Sequence, residues 1–281
     1  MKDAPTIHAE QVAYWNGPNS ASWVTGQERM DRTLAPVADA AIAHARVQPG
    51  ETVLDIGCGT GATTLALAAA VGPTGHVTGL DVSVPMLSLA KERGAGIANA
   101  DFVLDDAAAH AFTPASVDLL FSRFGVMFFG DPAAAFTNLR QAMKPTGRLV
   151  FACWRAFDEN PWMKLPLTAA LAHVPPLPRP GPDDPGPFAF ADPDKVTRIL
   201  TAAGFAAPAM TPFDFKMVLA PGRGLDAATE QAVMVGPASR ALADQPAAAV
   251  AAATAAIRAA LAAHLDGDTV KLDAAVWLVS A

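Results

Sequence analysis

The chain is predicted to fold as a doubly wound α/β domain, a mostly parallel sheet with helices on both faces and helical additions around it. Three observations carry this reading. Seven short segments rich in β-favouring apolar residues punctuate the 281 residues, and the first five, between residues 52 and 154, alternate with helix-compatible stretches. The first of them runs straight into a glycine-rich turn, Gly57-Cys58-Gly59-Thr60-Gly61. The second and third each end on acid, at Asp81 and at Asp105-Asp106.

The elements follow in order. Met30, Leu34, Val37, Ala38, Ala41 and Ile42 recur at helical spacing and stop before Pro49-Gly50. Thr52–Ile56 is a strand, apolar enough to be covered on both faces, and 62–71 is the helix behind its turn. His76–Leu80 is the second strand, and 85–92 a helix with Pro85 in its first turn. Strands at 102–104 and 117–121, a helix at 132–143 and a strand at 147–154 complete the alternation. From 155 to 193 a proline-rich connection (Pro175, Pro176, Pro178, Pro180, Pro182, Pro185, Pro187) argues against a continuous helix. A helix at 196–203 stops at Gly204, and two last strands, 213–219 and 274–280, flank a helical insertion at about 223–266. One domain is expected over 1–281: a helical lid segment 1–49, a ligand-binding core 50–155, the connection 155–193, and the final strands with their insertion at 194–281.

Charge narrows the partners. A net charge of −7, with 20 basic residues scattered rather than clustered, disfavours nucleic acid and an anionic membrane surface. The opening residues Met1 to Pro5 lead into no apolar run, and the alanine-rich tract 247–265 is interrupted by Arg258 and His264. The expected setting is therefore soluble and cytoplasmic, with Cys58 and Cys153 as buried, reduced thiols. The six histidines have no metal-ligand spacing, so no metal is expected. The alanine helix suits internal packing and equally suits contact with a second subunit, which leaves a homodimer open.

The turn is the chemical core. Glycines at 57, 59 and 61 remove three Cβ atoms, so that a ligand can lie against the backbone, and the following helix offers its free N–H groups. Gly57-x-Gly59-x-x-Ala62 also fits the loose dinucleotide pattern, with Asp81 following 24 residues after Gly57. An NAD(P)-dependent oxidoreductase is thus one alternative. Asp55 beside the turn disfavours a pyrophosphate and suits an ammonium or sulfonium ligand. Asp106-Ala107 offers a carboxylate beside a small residue, fit for an adenine amine. The last two strands close the sheet as a pair rather than extend a dinucleotide-binding half.

With these residues in view, the chain resembles the class I S-adenosylmethionine-dependent methyltransferases, and within them the ubiquinone/menaquinone-biosynthesis-like group. Asp55-Ile56-Gly57-Cys58-Gly59-Thr60-Gly61 is similar to their first motif, Asp81 to their ribose-binding acid, and Asp106-Ala107 to their adenine-binding pair. The segment from Phe121 to Met127 resembles the stretch that lies beside the transferable methyl, and Lys144 to Leu149 the turn into the fifth strand, with Thr146 where a glycine is usual. The resemblance covers about residues 50 to 155. It implies a Rossmann-like, seven-stranded, mostly parallel sheet with a terminal antiparallel strand. It also implies S-adenosyl-L-methionine as cofactor, held by Asp55, Gly57, Cys58, Gly59, Gly61, Asp81, Val82, Met86, Asp106, Ala107, Ser122 and Arg123.

Methyl transfer from a sulfonium needs alignment rather than a covalent nucleophile, and a base only where the acceptor must lose a proton. Arg123 is a candidate partner for the cofactor carboxylate or an acidic substrate, and His173 a candidate base. The acceptor pocket is expected from the parts outside the core, through Trp15, Trp23, Phe124, Met127 and Trp154, with Tyr14, Phe128, Trp162, Phe188 and Phe190 also at hand. A small, fairly apolar organic acceptor follows from that lining. A cofactor-binding module without catalysis is the other alternative.

Overall fold

The computed structural model describes residues 4–178, 180–181 and 183–281; Met1, Lys2, Asp3 and Pro182, which the sequence reading used, lie outside the described residues. Three helices lead in: α1 (Ala4–Asn16), α2 (Pro18–Thr25) and α3 (Gln27–Ala45). The core then alternates through β1 (Thr52–Ile56), α4 (Ala62–Val71), β2 (His76–Asp81), α5 (Val84–Arg93), β3 (Ala100–Leu104), β4 (Val117–Arg123), α6 (Pro132–Ala142) and β5 (Met143–Trp154). Beyond it come α7 (Pro161–Ala170), α8 (Pro193–Ala202), β6 (Ala209–Leu219), α9 (Gly224–Met234), α10 (Gly236–Leu242), α11 (Ala247–Ala262), the two-residue β7 (Leu265–Asp266) and β8 (Thr269–Ser280).

The sheet runs β3-β2-β1-β4-β5-β8-β6, with β7 paired only to β8. The first five strands are mutually parallel, whereas β8 is antiparallel to both β5 and β6. The order reverses between β1 and β4, so the carboxyl ends of the parallel strands open a crevice there. Strands β1 and β4 are buried nearly throughout, and Phe121, Phe136, Phe151 and Phe190 fill the space behind them. Among the described residues no helix is long and apolar enough to cross a membrane.

The expected strands and core helices are all present, with three differences. The connection 155–193 is not a continuous helix, as expected, but it contains a short helix, α7, that the sequence pattern had not marked. Pro161 stands in its first turn, where no backbone N–H is needed, and the helix-breaking run begins only at Pro175. The buried side chain of Pro166 sits inside it. Strands β6 and β8 are also longer than expected, pairing from Leu219↔Val270 along to Ala209↔Ser280; in the added stretch 209–212 only Met210 is half-buried, too little pattern to mark a strand. Finally, β5 begins at Met143, pairs there with Val117, and resumes at Arg148↔Leu119 after an irregularity.

Two polar clamps fix the additions to the sheet. Arg148 binds Glu51 with both terminal nitrogens, at 2.7 and 2.9 Å, while its Nε donates to the Ala45 carbonyl at 2.7 Å, so the end of α3 is locked to β5. Asn160 is fully buried and acts as a backbone mimic, donating to the Ala275 carbonyl at 3.1 Å and accepting from its N–H at 3.0 Å. That pairing sets the start of α7 against β8.

Candidate functional site

The crevice at the strand ends is a cavity of about 260 Å³. Its floor begins with the glycine turn, whose three glycines have three separate reasons to be there. Gly57 has φ +67°, and a Cβ on it would lie 2.6 Å from the Gly125 Cα, so the turns after β1 and β4 cross backbone to backbone. Gly59 has φ +56° and faces open space, its nearest neighbour for a Cβ being the Met86 Sδ at 3.9 Å. Gly61 has φ +85° and packs against Phe102 and Ala90, at 3.0 and 3.1 Å. Gly59 is therefore the one that leaves room for a ligand, while the other two let the chain pass close to itself.

Asp81, at the end of β2, is tied down by the turn itself. Its Oδ2 accepts from the Gly59 N–H at 2.7 Å and its Oδ1 from the Ser83 N–H at 2.8 Å. Burial pushes its carboxyl up from the usual range, and these backbone donors oppose the shift. After β3, Asp106 lines the cavity and accepts from the Ala108 N–H at 2.9 Å, with His8 from α1 3.5 Å from its other oxygen. Neighbouring Asp105 holds His110 at 2.6 Å. The buried Ala107 leaves the space beside Asp106 clear.

Beneath the turn lies a charged cluster. Asp55 is fully buried; its Oδ2 accepts from the hydroxyls of Thr63 and Thr64, both at 2.7 Å, and its Oδ1 has no partner. Burial pushes its carboxyl up to about 6, against the pull of both threonines and of Arg123. Arg123, at the end of β4, lines the cavity with its Nε buried and unpartnered. Burial lowers its pKa, and Asp31 and Asp55 hold it up. Asp31 in turn pairs with Arg93 at 2.6 Å, and Arg93 also donates to the Thr60 carbonyl at 2.6 Å, tying α3 and α5 to the turn.

The other half of the cavity is aromatic. Phe124 has φ +71°, uncommon for a large side chain, and stacks on Trp154 with ring centres 4.2 Å apart and planes 9° from parallel. Trp162 of α7 lies 5.1 Å from Trp154, and its indole N–H is buried without a partner. Trp15 meets Phe128 edge-on at 5.0 Å and Trp23 at 6.3 Å. The lead-in helices are docked by polar contacts: Ser83 donates to the Trp15 carbonyl at 2.6 Å, and Asn16 accepts from the Val84 N–H and donates to the Val82 carbonyl, both at 2.9 Å.

Of the residues singled out in the sequence, Gly57, Cys58, Gly59, Asp81, Val82, Met86, Asp106, Ala107 and Arg123 line the cavity, as do Trp15, Trp23, Phe124, Met127 and Trp154. Four need correction. Asp55 lies under the turn and binds the two threonine hydroxyls of α4; Gly61 packs on Phe102; Ser122 is fully buried, donating to the Ile56 carbonyl at 2.7 Å and supporting Gly125. None of the three lines the cavity. His173 is exposed and outside the lining, so it has no geometry for a base. Phe188 and Phe190 also pack elsewhere, Phe188 on Phe157 and Phe190 in the core. The sequence reading missed His8, Gln11, Asp31, Met163, Met234, Ser239 and Arg240, all of which line the cavity from helices outside the alternating core. No local motif marks them. Among the described residues no group of His, Cys, Asp or Glu is arranged to hold a metal ion.

Comparison with known proteins agrees with this geometry. Residues 53–147 match the family model described as a methyltransferase domain. Over 104 residues the chain is 40% identical to the demethylmenaquinone methyltransferase of Staphylococcus aureus (strain JH9), a stretch that is 37% of this chain and 43% of that protein. The chain thus matches less than half the length of that relative. Among solved structures, the YcgJ protein of Bacillus subtilis superposes with a TM-score of 0.56 at 16% identity, covering 88% of this chain and 97% of that one. Phosphoethanolamine N-methyltransferase 2 of Haemonchus contortus, with S-adenosyl-L-methionine, gives 0.55 at 17%, covering 92% and 56%. The [4+2]-cyclase SpnF gives 0.52 at 19%, covering 87% and 80%. These structural likenesses concern the fold. The matched segment carries the glycine turn and the acids that end β2 and β3, so residues 53–147 are similar to a methyltransferase domain.

Proposed function

We propose that this chain is a methyltransferase that uses S-adenosyl-L-methionine and passes its methyl group to a small, fairly apolar organic acceptor. The observation that carries this reading is the continuity of one cavity, from the Asp81 and Asp106 carboxylates over β2 and β3, past open Gly59, to the aromatic wall over β4 and β5. The cofactor supplies an activated methyl on a positively charged sulfur, so what the protein must add is grip, alignment and exclusion of water.

The residues fit that task. Asp81 is a fixed carboxylate suited to accept from two ribose hydroxyls. Asp106 and Ala107 suit the adenine, with Val82 and Met86 beside them. The space over Gly59 admits the chain that carries the sulfur, and Arg123 offers a cation to the amino-acid end. Phe124, Met127, Trp154, Trp15 and Trp23 form the acceptor pocket, and the lead-in helices α1 to α3 serve as its lid. No side chain in the lining has the geometry of a dedicated nucleophile, which an in-line displacement does not require.

The test is turnover. Purified protein incubated with methyl-labelled cofactor and a metabolite extract, with demethylmenaquinone as one defined acceptor to try, should yield a labelled small molecule. A fold that also carries a cyclase makes this necessary. Cofactor binding without labelled product across broad extracts would favour a binding module instead.

A further inference from the structure

We propose that Asp31, from the lead-in helix α3, is a cofactor-positioning residue: its free carboxylate oxygen takes the ammonium at the amino-acid end of S-adenosyl-L-methionine, while Arg123 takes the carboxylate. This rests on the reading above and deepens it, because it brings a residue from outside the matched segment into the cofactor site and gives it one of the two charges of that end. The first support is the state of the carboxylates in the cavity wall. Asp81, Asp105 and Asp106 each have both oxygens engaged: Asp81 by the Gly59 and Ser83 N–H groups, Asp105 by the Asp106 N–H and His110, and Asp106 by the Ala108 N–H and His8. Asp31 also lines the cavity, but Arg93 and Gln27 both bind its Oδ2. Its Oδ1 has no partner among the described residues.

Arg123 is in the complementary state. It lines the same cavity, its Nε is buried without a partner, and it forms no ion pair among the described residues. A guanidinium nitrogen buried without an acceptor is costly, and an anion supplied by a ligand relieves that cost. Of the two acids that Arg123 faces, Asp55 lies beneath the turn, outside the cavity lining, with one oxygen taken by the Thr63 and Thr64 hydroxyls. Asp31 is the one a ligand can reach.

The second support is placement, with one of the two residues at each end of the glycine turn. Arg93 joins Asp31 to the turn, donating to its Oδ2 and to the Thr60 carbonyl, both at 2.6 Å. Arg123 stands two residues before Gly125, whose Cα would lie 2.6 Å from a Cβ on Gly57. Between these ends of the turn is Gly59, the glycine that faces open space. An α-amino acid carries its ammonium and its carboxylate on one carbon. A free carboxylate oxygen and an unpaired guanidinium flanking one open glycine match both charges. A pyrophosphate would instead meet Asp31 as a like charge.

The probes are S-adenosylhomocysteine, its decarboxylated analogue (ammonium only), its deaminated analogue (carboxylate only) and methylthioadenosine (neither charge), titrated calorimetrically into wild type, Asp31→Asn and Arg123→Met. On wild type, S-adenosylhomocysteine should bind at least about 10-fold tighter than methylthioadenosine, as charge-assisted contacts give. Asp31→Asn should weaken S-adenosylhomocysteine and the ammonium-only analogue by about 10-fold and leave the other two within about 2-fold. Arg123→Met should weaken S-adenosylhomocysteine and the carboxylate-only analogue and spare the other two. An unchanged methylthioadenosine affinity shows that the turn is intact in each variant. Wild-type affinity of Asp31→Asn for S-adenosylhomocysteine overturns the proposal. So does a loss shared equally by all the ligands, because Asp31 would then only brace the turn through Arg93. An Arg123→Met variant that loses the ammonium-only analogue as strongly as the carboxylate-only one also overturns it. If wild type binds methylthioadenosine as tightly as S-adenosylhomocysteine, this proposal falls and the cofactor reading stands; if it binds none of the adenosyl ligands, both fall.

Discussion

The two halves of the cavity are built in opposite ways. The half over β1 to β3 comes from one continuous stretch, in which a strand, a glycine turn and two strand-end acids follow one another and hold each other in place: Gly59 binds Asp81, and Asp81 binds Ser83. The half over β4 and β5 is assembled from side chains far apart in sequence, brought together by α1, α7 and α10. In the first half, backbone hydrogen bonds hold the acids in place, and Gly57 and Gly61 let the chain pass close to itself. In the second, large side chains form the wall, and one of them, Phe124, is held in a conformation that glycine would adopt more easily. The first half is built by local hydrogen bonding, the second by packing between distant segments.

That contrast can be broken at several points. The largest effect is expected from Gly57→Ala. A methyl placed 2.6 Å from the Gly125 backbone at positive φ has nowhere to go. The cost should be about 3–4 kcal/mol in urea unfolding, with S-adenosylhomocysteine binding lost alongside. Gly59→Ala, in open space, should cost about 1 kcal/mol of stability and act mainly on ligand affinity. Equal destabilisation by the two would contradict the distinct roles given to them.

Asp55 gives the next effect. Its carboxyl is raised from 3.8 to about 6 in the folded chain. Between those values the unfolded chain has lost the proton and the folded chain still holds it, so stability falls as pH rises through the window and stays lower above it. At 1.36 kcal/mol per pKa unit, the loss is about 3 kcal/mol. Unfolding curves of wild type and Asp55→Asn from pH 4 to 7 should therefore converge or cross, with the variant gaining relative to wild type as pH rises. A pH-independent difference would refute the buried, partly unpaired carboxylate.

On the aromatic side, Phe124→Gly should cost less than about 2 kcal/mol, because relief of the left-handed backbone offsets part of the lost ring packing. A cost matching that of Gly57→Ala would erase the contrast between the halves. The smallest effect is expected at His173. His173→Ala should leave unfolding free energy within about 0.5 kcal/mol and turnover unchanged, as for an exposed residue outside the cavity.

What was legible in the sequence follows the same division. The strands of the core, the turn, Asp81 and Asp106 were readable because strand patterning and turn chemistry are local. The reason for each glycine was not, since Gly57 answers to Gly125 and Gly61 to Phe102 across the fold. Asp55 looked like a ligand-facing charge from its position beside the turn, yet strand alternation places it under α4 with Thr63 and Thr64. Helix α7 was hidden by the prolines that follow it. Arg240, Asp31 and His8 reach the cavity only through tertiary packing of helices whose own sequence patterns say nothing about a site.

Isothermal titration of S-adenosylhomocysteine into wild-type and Asp81→Ala protein, with NADH as the competing ligand, tests the account most directly. One-to-one binding to wild type, at least about 30-fold weaker binding to the variant from the loss of charge-assisted hydrogen bonds, and no heat from NADH is the predicted result. Tight NADH binding, or an Asp81→Ala affinity equal to wild type, would contradict it.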